Sequence, residues 1–114
     1  MNIFELTKSQ KKIARQIINK GLEKEFQTGL QMIRNTLDEW NDNKIPNGDA
    51  WRRIYKELTD YDKQISRRYD NKTGSEYIYI IAAQLGDGVI GMQDIEAFDE
   101  EIKGAILFLG GVER

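Results

Sequence analysis

The sequence contains no cysteine and no histidine. Without cysteine the chain has no disulfide, no thiolate nucleophile and no cysteine-ligated zinc or iron–sulfur site. Without histidine it lacks the commonest general base and the commonest transition-metal ligand. We therefore expect a protein that is not an enzyme and that carries no cofactor or metal.

Long apolar runs are also missing. The longest one, residues 77–83, is far shorter than the roughly 18 residues that a membrane-spanning helix requires. At the N-terminus the apolar residues precede the lysines, which is the reverse of a secretory signal. The sequence thus predicts a soluble cytoplasmic protein that does not bind membranes. Its many Ile, Lys, Asp and Asn residues suggest a bacterial or phage origin.

The length and composition predict one folded domain over residues 1–114. Hydrophobic residues make up 39% of the chain and charged residues 32%, which suits a globular core with a charged surface. The net charge is only −2, but residues 1–24 are basic and residues 87–114 are acidic. We expect these segments to neutralise each other within the fold, with a charged external partner as the alternative.

Apolar residues recur every three or four positions, which predicts helices. Thr7 and Gln10 have the spacing of a capping box, so a first helix should begin there. The apolar faces before and after Gly21 point about 140° apart at 100° per residue. We therefore predict a break near Gly21. The second stripe consists of Leu22, Phe26, Leu30, Ile33, Leu37 and Trp40.

Residues 41–48 form a loop by composition, and Asp49 is predicted to cap the third helix. The apolar stripe of that helix consists of Trp51, Ile54, Tyr55, Leu58, Tyr61, Ile65 and Tyr69. Residues 77–83 suit either a strand or a helix, and we favour a helix capped at Thr73. A last helix should run from about Met92 to Gly110. The fold class is all-α, a bundle of about five mostly antiparallel helices with a buried central helix at 76–85.

Basic residues share one side of the predicted helix at 50–69: Arg52, Lys56, Lys63 and Arg67. Such a face suits a phosphate backbone or an acidic protein surface. Asp60 lies in the same stripe, and the pI is near 5.2, whereas nucleic-acid modules are typically strongly basic. A solvated face with local ion pairs is therefore favoured, and nucleic-acid binding is the less favoured alternative.

Asp62 falls inside the apolar stripe of the same helix. A carboxylate that faces a core is costly unless it is paired or hydrogen-bonded. The simplest interpretation is a buried contact with an arginine or a tyrosine hydroxyl. The alternative is a ligand-binding or enzymatic pocket formed by Asp62 with Tyr55, Tyr61 and Tyr69.

The segment 87–94 resembles the second half of an EF-hand calcium loop. Gly88 stands at the turn, Ile90 at the inward apolar position and Asp94 where the family has its closing Glu. The two earlier ligand positions hold Ala83 and Leu85, which cannot bind calcium. The sequence therefore favours a tight turn between helices over a calcium site.

Residues 105–109 are apolar all round, so Leu107 and Phe108 need cover beyond one helix face. Either Ile3, Phe4 and Leu6 fold over them, or another chain does, for example in a homodimer. As function we predict a small protein–protein interaction or accessory module that binds through a charged or an apolar helix face.

Overall fold

The computed structural model describes residues 5–112, and every regular element in that range is helical. The all-α prediction is confirmed. The described residues form four α-helices where about five were predicted, because the first two predicted helices are one. None of the described helices is long and apolar enough to cross a membrane. The helices are α1 (Lys8–Asn41), α2 (Asn47–Tyr69), α3 (Tyr77–Gly86) and α4 (Glu100–Leu109), with short 3₁₀ segments at Gly74–Glu76 and Met92–Ile95.

The described chain divides into two compact units. One contains residues 5–23 and 71–112, and we call it the terminal unit. The other contains residues 24–70, the rest of α1 and all of α2, and we call it the hairpin.

α1 is continuous through Gly21, so the predicted break there is wrong. Gly21 is buried, and a side chain at this position would overlap the Gln84 amide. Gln84 is fully buried and donates to the Ile18 carbonyl oxygen over 3.1 Å. Glycine therefore permits a close approach inside the terminal unit and does not end the helix. The first apolar face belongs to the terminal unit, and the second, apart from Leu22, belongs to the hairpin.

Local capping interactions set several helix ends. The Thr7 amide donates to Gln10 Oε1 over 2.8 Å, and the Gln10 amide donates to Thr7 Oγ1 over 3.2 Å, which confirms the first capping box. α2 begins at Asn47, directly after Pro46, whose extended conformation precedes the helix. Asp49 therefore lies in the first turn and is not the cap that we predicted. A carboxylate there still favours the helix through the helix dipole.

α3 is a helix and not a strand. Thr73 and Glu76 form the predicted capping box just before it. Its buried residues are Ile78, Ile80, Ile81, Ala82, Gln84 and Leu85, and they pack in the terminal unit with Ala14, Ile17, Ile18, Ile95, Ile102 and Ile106. Tyr79 and Ala83 are exposed, so the helix is not covered on every side as the prediction of a buried central helix requires.

The last helix is shorter than predicted. A 3₁₀ segment covers Met92–Ile95, and α4 starts only at Glu100. Asp99 is its N-cap, and the Asp99 Oδ1 atom accepts from the Ile102 amide over 3.0 Å. A strong capping residue thus starts a new helix where we had continued the apolar stripe. Gly110 and Gly111 end α4 as predicted, with Gly111 at a φ of 67°.

Candidate protein-interaction surface

The contact between the two helices of the hairpin is polar. Thr36 Oγ1 donates to Glu57 Oε1 over 2.8 Å, and Arg53 bridges Glu57 and Glu39 at 3.2 and 2.7 Å. Three residues of the hairpin are buried. Two of them, Glu25 and Thr36, are polar, and the third is Ala50. The hairpin is therefore joined by hydrogen bonds and ion pairs more than by an apolar core.

The paired residues show that the two helices run antiparallel. From the loop outwards the partners are Glu39 with Arg53, Thr36 with Glu57, Gly29 with Tyr61, and Glu25 with Arg68. Residue numbers fall along α1 as they rise along α2, which fixes the register of the hairpin over its whole length.

Large apolar side chains of the hairpin lie outside this contact. Seven of them are 42–78% exposed. Their spacing predicted a core, and for these seven residues that prediction is wrong. We call this set the hairpin face: Phe26, Leu30, Leu37 and Trp40 of α1, and Trp51, Tyr55 and Leu58 of α2.

The two halves of the hairpin face lie on the same side of the hairpin. In each helix the stripe of exposed apolar residues points roughly 100° away from the residues that contact the other helix. In both helices this rotation has the sense in which the residue numbers increase. Because the helices run in opposite directions, these two rotations carry both stripes to one side. Trp40 and Trp51 lie near the loop, where Trp40 Nε1 donates to Asn47 Oδ1 over 2.7 Å.

The spacing within the hairpin face is that of a helical-bundle core. In α1 the apolar positions 26, 30, 33, 37 and 40 alternate steps of four and three, and in α2 the positions 51, 55, 58, 62, 65 and 69 do the same. This alternation is the heptad pattern by which helices pack side by side. The hairpin therefore presents two heptad stripes on one exposed side.

Asp62 occupies one of these heptad positions and is exposed. The prediction that its carboxylate faces the core is wrong, because the stripe that contains it is not covered within the hairpin. Tyr55 is exposed too, whereas Tyr61 and Tyr69 are half-buried. The four residues of the predicted polar pocket therefore do not share one environment.

Two open pockets lie on the hairpin, and neither includes Asp62, Tyr55 or Tyr69 among its lining residues. One, of about 460 Å³, is lined by Gln27, Thr28, Gln31, Met32 and Asn35. The other, of about 300 Å³, is lined by Met32, Arg53, Lys56, Glu57, Asp60, Tyr61 and Gln64. Both are lined by residues outside the hairpin face.

The predicted basic face consists partly of ion pairs. Arg52 contacts Asp49 at 2.9 Å, and Lys56 contacts Asp60 at 2.6 Å. The hydrogen bond from Lys56 lowers the pKa of Asp60, and the same bond raises the pKa of Lys56. Lys63 and Arg67 are exposed. These local pairs match the solvated face that the sequence favoured.

The surroundings of Tyr61 shift the pKa of its hydroxyl. Burial raises the pKa of its hydroxyl, and the nearby Glu25 carboxylate raises it further. Since this pKa is higher in the folded state than in the unfolded state, the resulting stability is present below the unfolded pKa and is lost as the pH rises through the folded pKa. We expect Tyr61→Phe to remove a late-titrating phenolate from an ultraviolet pH titration. A variant with the same absorbance change as the wild type above the ordinary tyrosine range would contradict the raised pKa of Tyr61.

The turn at 87–94 has the structural role that the sequence favoured. Gly88 has a φ of 74°, and Ile90 is buried. Asp94 Oδ2 accepts from the Gly91 amide over 2.8 Å, and Asp94 Oδ1 pairs with Lys20. That ion pair also joins the basic first segment to the acidic last one. Within residues 5–112 no group of three or more acidic side chains is arranged to hold a metal ion.

The predicted apolar patch on the last helix is only half exposed. Leu107 is buried and Phe108 is 83% exposed, so Leu107 is not part of an open surface. Leu6 is buried in the terminal unit, whereas Ile3 and Phe4 lie outside the described residues. Phe108 is therefore the exposed member of the predicted pair, and exposed apolar side chains are common on protein surfaces.

Comparison with known proteins gives this chain no relative. No protein-family model, no curated protein and no solved structure matches it. The hairpin face is therefore the feature of this chain that bears most directly on its function.

Proposed function

We propose that this protein is a protein–protein interaction module that binds helical partners through the hairpin face. The observation that carries the proposal is the exposure of seven large apolar side chains in heptad spacing on one side of an antiparallel helix pair. Soluble monomers rarely expose a contiguous apolar patch of more than a few hundred Å². A surface of this kind favours an interface.

The composition of the face supports the same conclusion. Two tryptophans and a tyrosine lie on it, Trp40, Trp51 and Tyr55, and aromatic residues of these kinds are enriched at the energetic centres of interfaces. The heptad spacing fits another helix, because side chains from a packed helix enter the gaps between those of the stripe.

A site-specific photo-crosslinker tests this function in the native cell. We expect benzoylphenylalanine at Tyr55 to form protein adducts, because this side chain is exposed within the face. The matched control is the same group at Lys63, which is exposed on the predicted basic side of α2. Mass spectrometry of the adducts identifies what is bound. No adduct at position 55, or equal adducts at both positions, would contradict the proposal.

A further inference from the structure

We infer that the occupant of the hairpin face is a second copy of this chain, so that two hairpins pack face to face as a four-helix bundle. This inference rests on the proposed function and names the partner. Elsewhere the described residues present paired charges, two open pockets and the exposed side chains of Tyr79, Met92 and Phe108, and none of these forms a pair of heptad stripes.

The hairpin face has the area of a dimer interface. An aromatic residue exposes roughly 150–250 Å² when fully open, and a leucine exposes an area near the lower end of that range. With the observed exposed fractions, the seven side chains present on the order of 800 Å². A stable protein–protein interface of standard size buries about 800 Å² on each partner. One hairpin face covering another therefore supplies the area that a stable dimer requires.

The hairpin face is also complementary to a second copy of itself. It consists of two antiparallel stripes with the same alternation of three- and four-residue steps. A two-fold rotation about an axis within the plane of the face places each stripe against a stripe of equal spacing. The polar contacts Thr36–Glu57 and Arg53–Glu39 would then join α1 to α2 within each copy, while the apolar stripes of both copies form the core of the bundle.

Asp62 fits this arrangement as a polar residue within a heptad core. Such residues reduce the stability of a bundle while restricting its register. The same carboxylate disfavours the other class of occupant, an anionic lipid surface, because it would bring a negative charge to that surface. Asp62 therefore favours a protein partner over a membrane. Replacing it with an apolar residue should strengthen the dimer.

Sedimentation velocity of the purified full chain tests the inference. We expect the wild type to sediment as a dimer, with twice the 13.2-kDa chain mass. Trp51→Asp removes an apolar contact from both copies and adds two charges, so we expect a dissociation constant at least about 100-fold higher. Phe108→Asp is the matched control, since it changes an exposed aromatic residue outside the hairpin, and it should leave the dimer unchanged.

Asp62→Leu provides a second variant with the opposite expected effect. Replacing a carboxylate by an apolar side chain in the interface should lower the dissociation constant by about tenfold or more. Circular dichroism should show the wild-type helix content in all three variants, because each substituted residue is exposed. An unchanged or weaker dimer in Asp62→Leu would overturn the placement of this residue in the interface.

Other outcomes would overturn the dimer, and they distinguish its failure from a failure of the proposed function. A wild type that stays monomeric at about 100 µM would exclude a dimer of standard affinity. If Phe108→Asp dissociates the dimer as strongly as Trp51→Asp does, the hairpin face is not the specific dimer interface. If a monomeric chain still crosslinks to a different protein from position 55, the dimer fails and the proposed function stands. If it instead binds phosphatidylserine vesicles and loses that binding in Trp51→Asp, both fail.

Discussion

Replacing Arg68 with methionine is expected to lower the free energy of unfolding by about 3–5 kcal/mol, because the change leaves the Glu25 carboxylate buried without its cation. The two side chains are 10% and 7% exposed, and Arg68 Nε lies 3.6 Å from Glu25 Oε1. Breaking a buried ion pair on one side costs far more than losing an exposed one. Urea denaturation followed by circular dichroism, at one fixed protein concentration, measures the difference.

Two further variants show whether burial is the cause. Lys56→Met makes the same chemical change in α2, but Lys56 and Asp60 are mostly exposed, so we expect stability to stay nearly unchanged. Combining Glu25→Leu with Arg68→Met removes both charges and should restore most of the lost stability. An effect of Arg68→Met no larger than that of Lys56→Met would show that the Glu25–Arg68 pair is not energetically buried.

The features that the sequence predicted well depend on neighbouring residues. The capping box at Thr7 and Gln10, and the one at Thr73 and Glu76, each involve residues three apart. Gly88 and Gly111 both adopt a positive φ, which the turn needs and which glycine adopts without a steric cost. Such interactions form within one turn of chain, so the residue types alone indicate them.

The continuity of α1 depends on a contact that no local pattern contains. The break was predicted because the apolar faces before and after Gly21 point in different directions, and it placed Gly21 at a helix end, where glycine is common. In the structure its missing side chain makes room for Gln84, which lies 63 residues further along the chain. A glycine that serves close packing and one that ends a helix look alike in the sequence.

Burial of the hairpin was predicted wrongly for a different reason. Periodicity shows that apolar residues share one side of a helix, but it does not show what covers that side. Trp51 and Tyr55 were therefore assigned to a core, whereas both are exposed. Conversely, Thr36 and Glu57 have the composition of a solvated face and yet meet between the helices. The register of the helix pair, which the sequence does not state, decides between these alternatives.

Alanine at Gly86 or Gly110 is expected to lower the free energy of unfolding by about 2–3 kcal/mol, because the added methyl group would meet backbone atoms that cannot move aside. A Cβ atom at Gly110 would lie 2.7 Å from the Ala82 carbonyl oxygen, and one at Gly86 would lie 2.6 Å from the Gly110 carbonyl oxygen. Both contacts join the C-terminal ends of α3 and α4. Thermal or urea denaturation measures the loss.

Gly104→Ala is the matched control, because Gly104 lies within α4 and nothing lies within 4 Å of a Cβ atom built there. Alanine stabilises a helix interior relative to glycine, so this variant should gain up to about 1 kcal/mol. The double variant at Gly86 and Gly110 should lose less stability than the sum of the two single losses. Both methyl groups clash at the same close approach of α3 and α4, so once one has forced the helix ends apart the other clashes less. Equal stability of the Gly110 and Gly104 variants would mean that the two helix ends do not pack as closely as the structure shows.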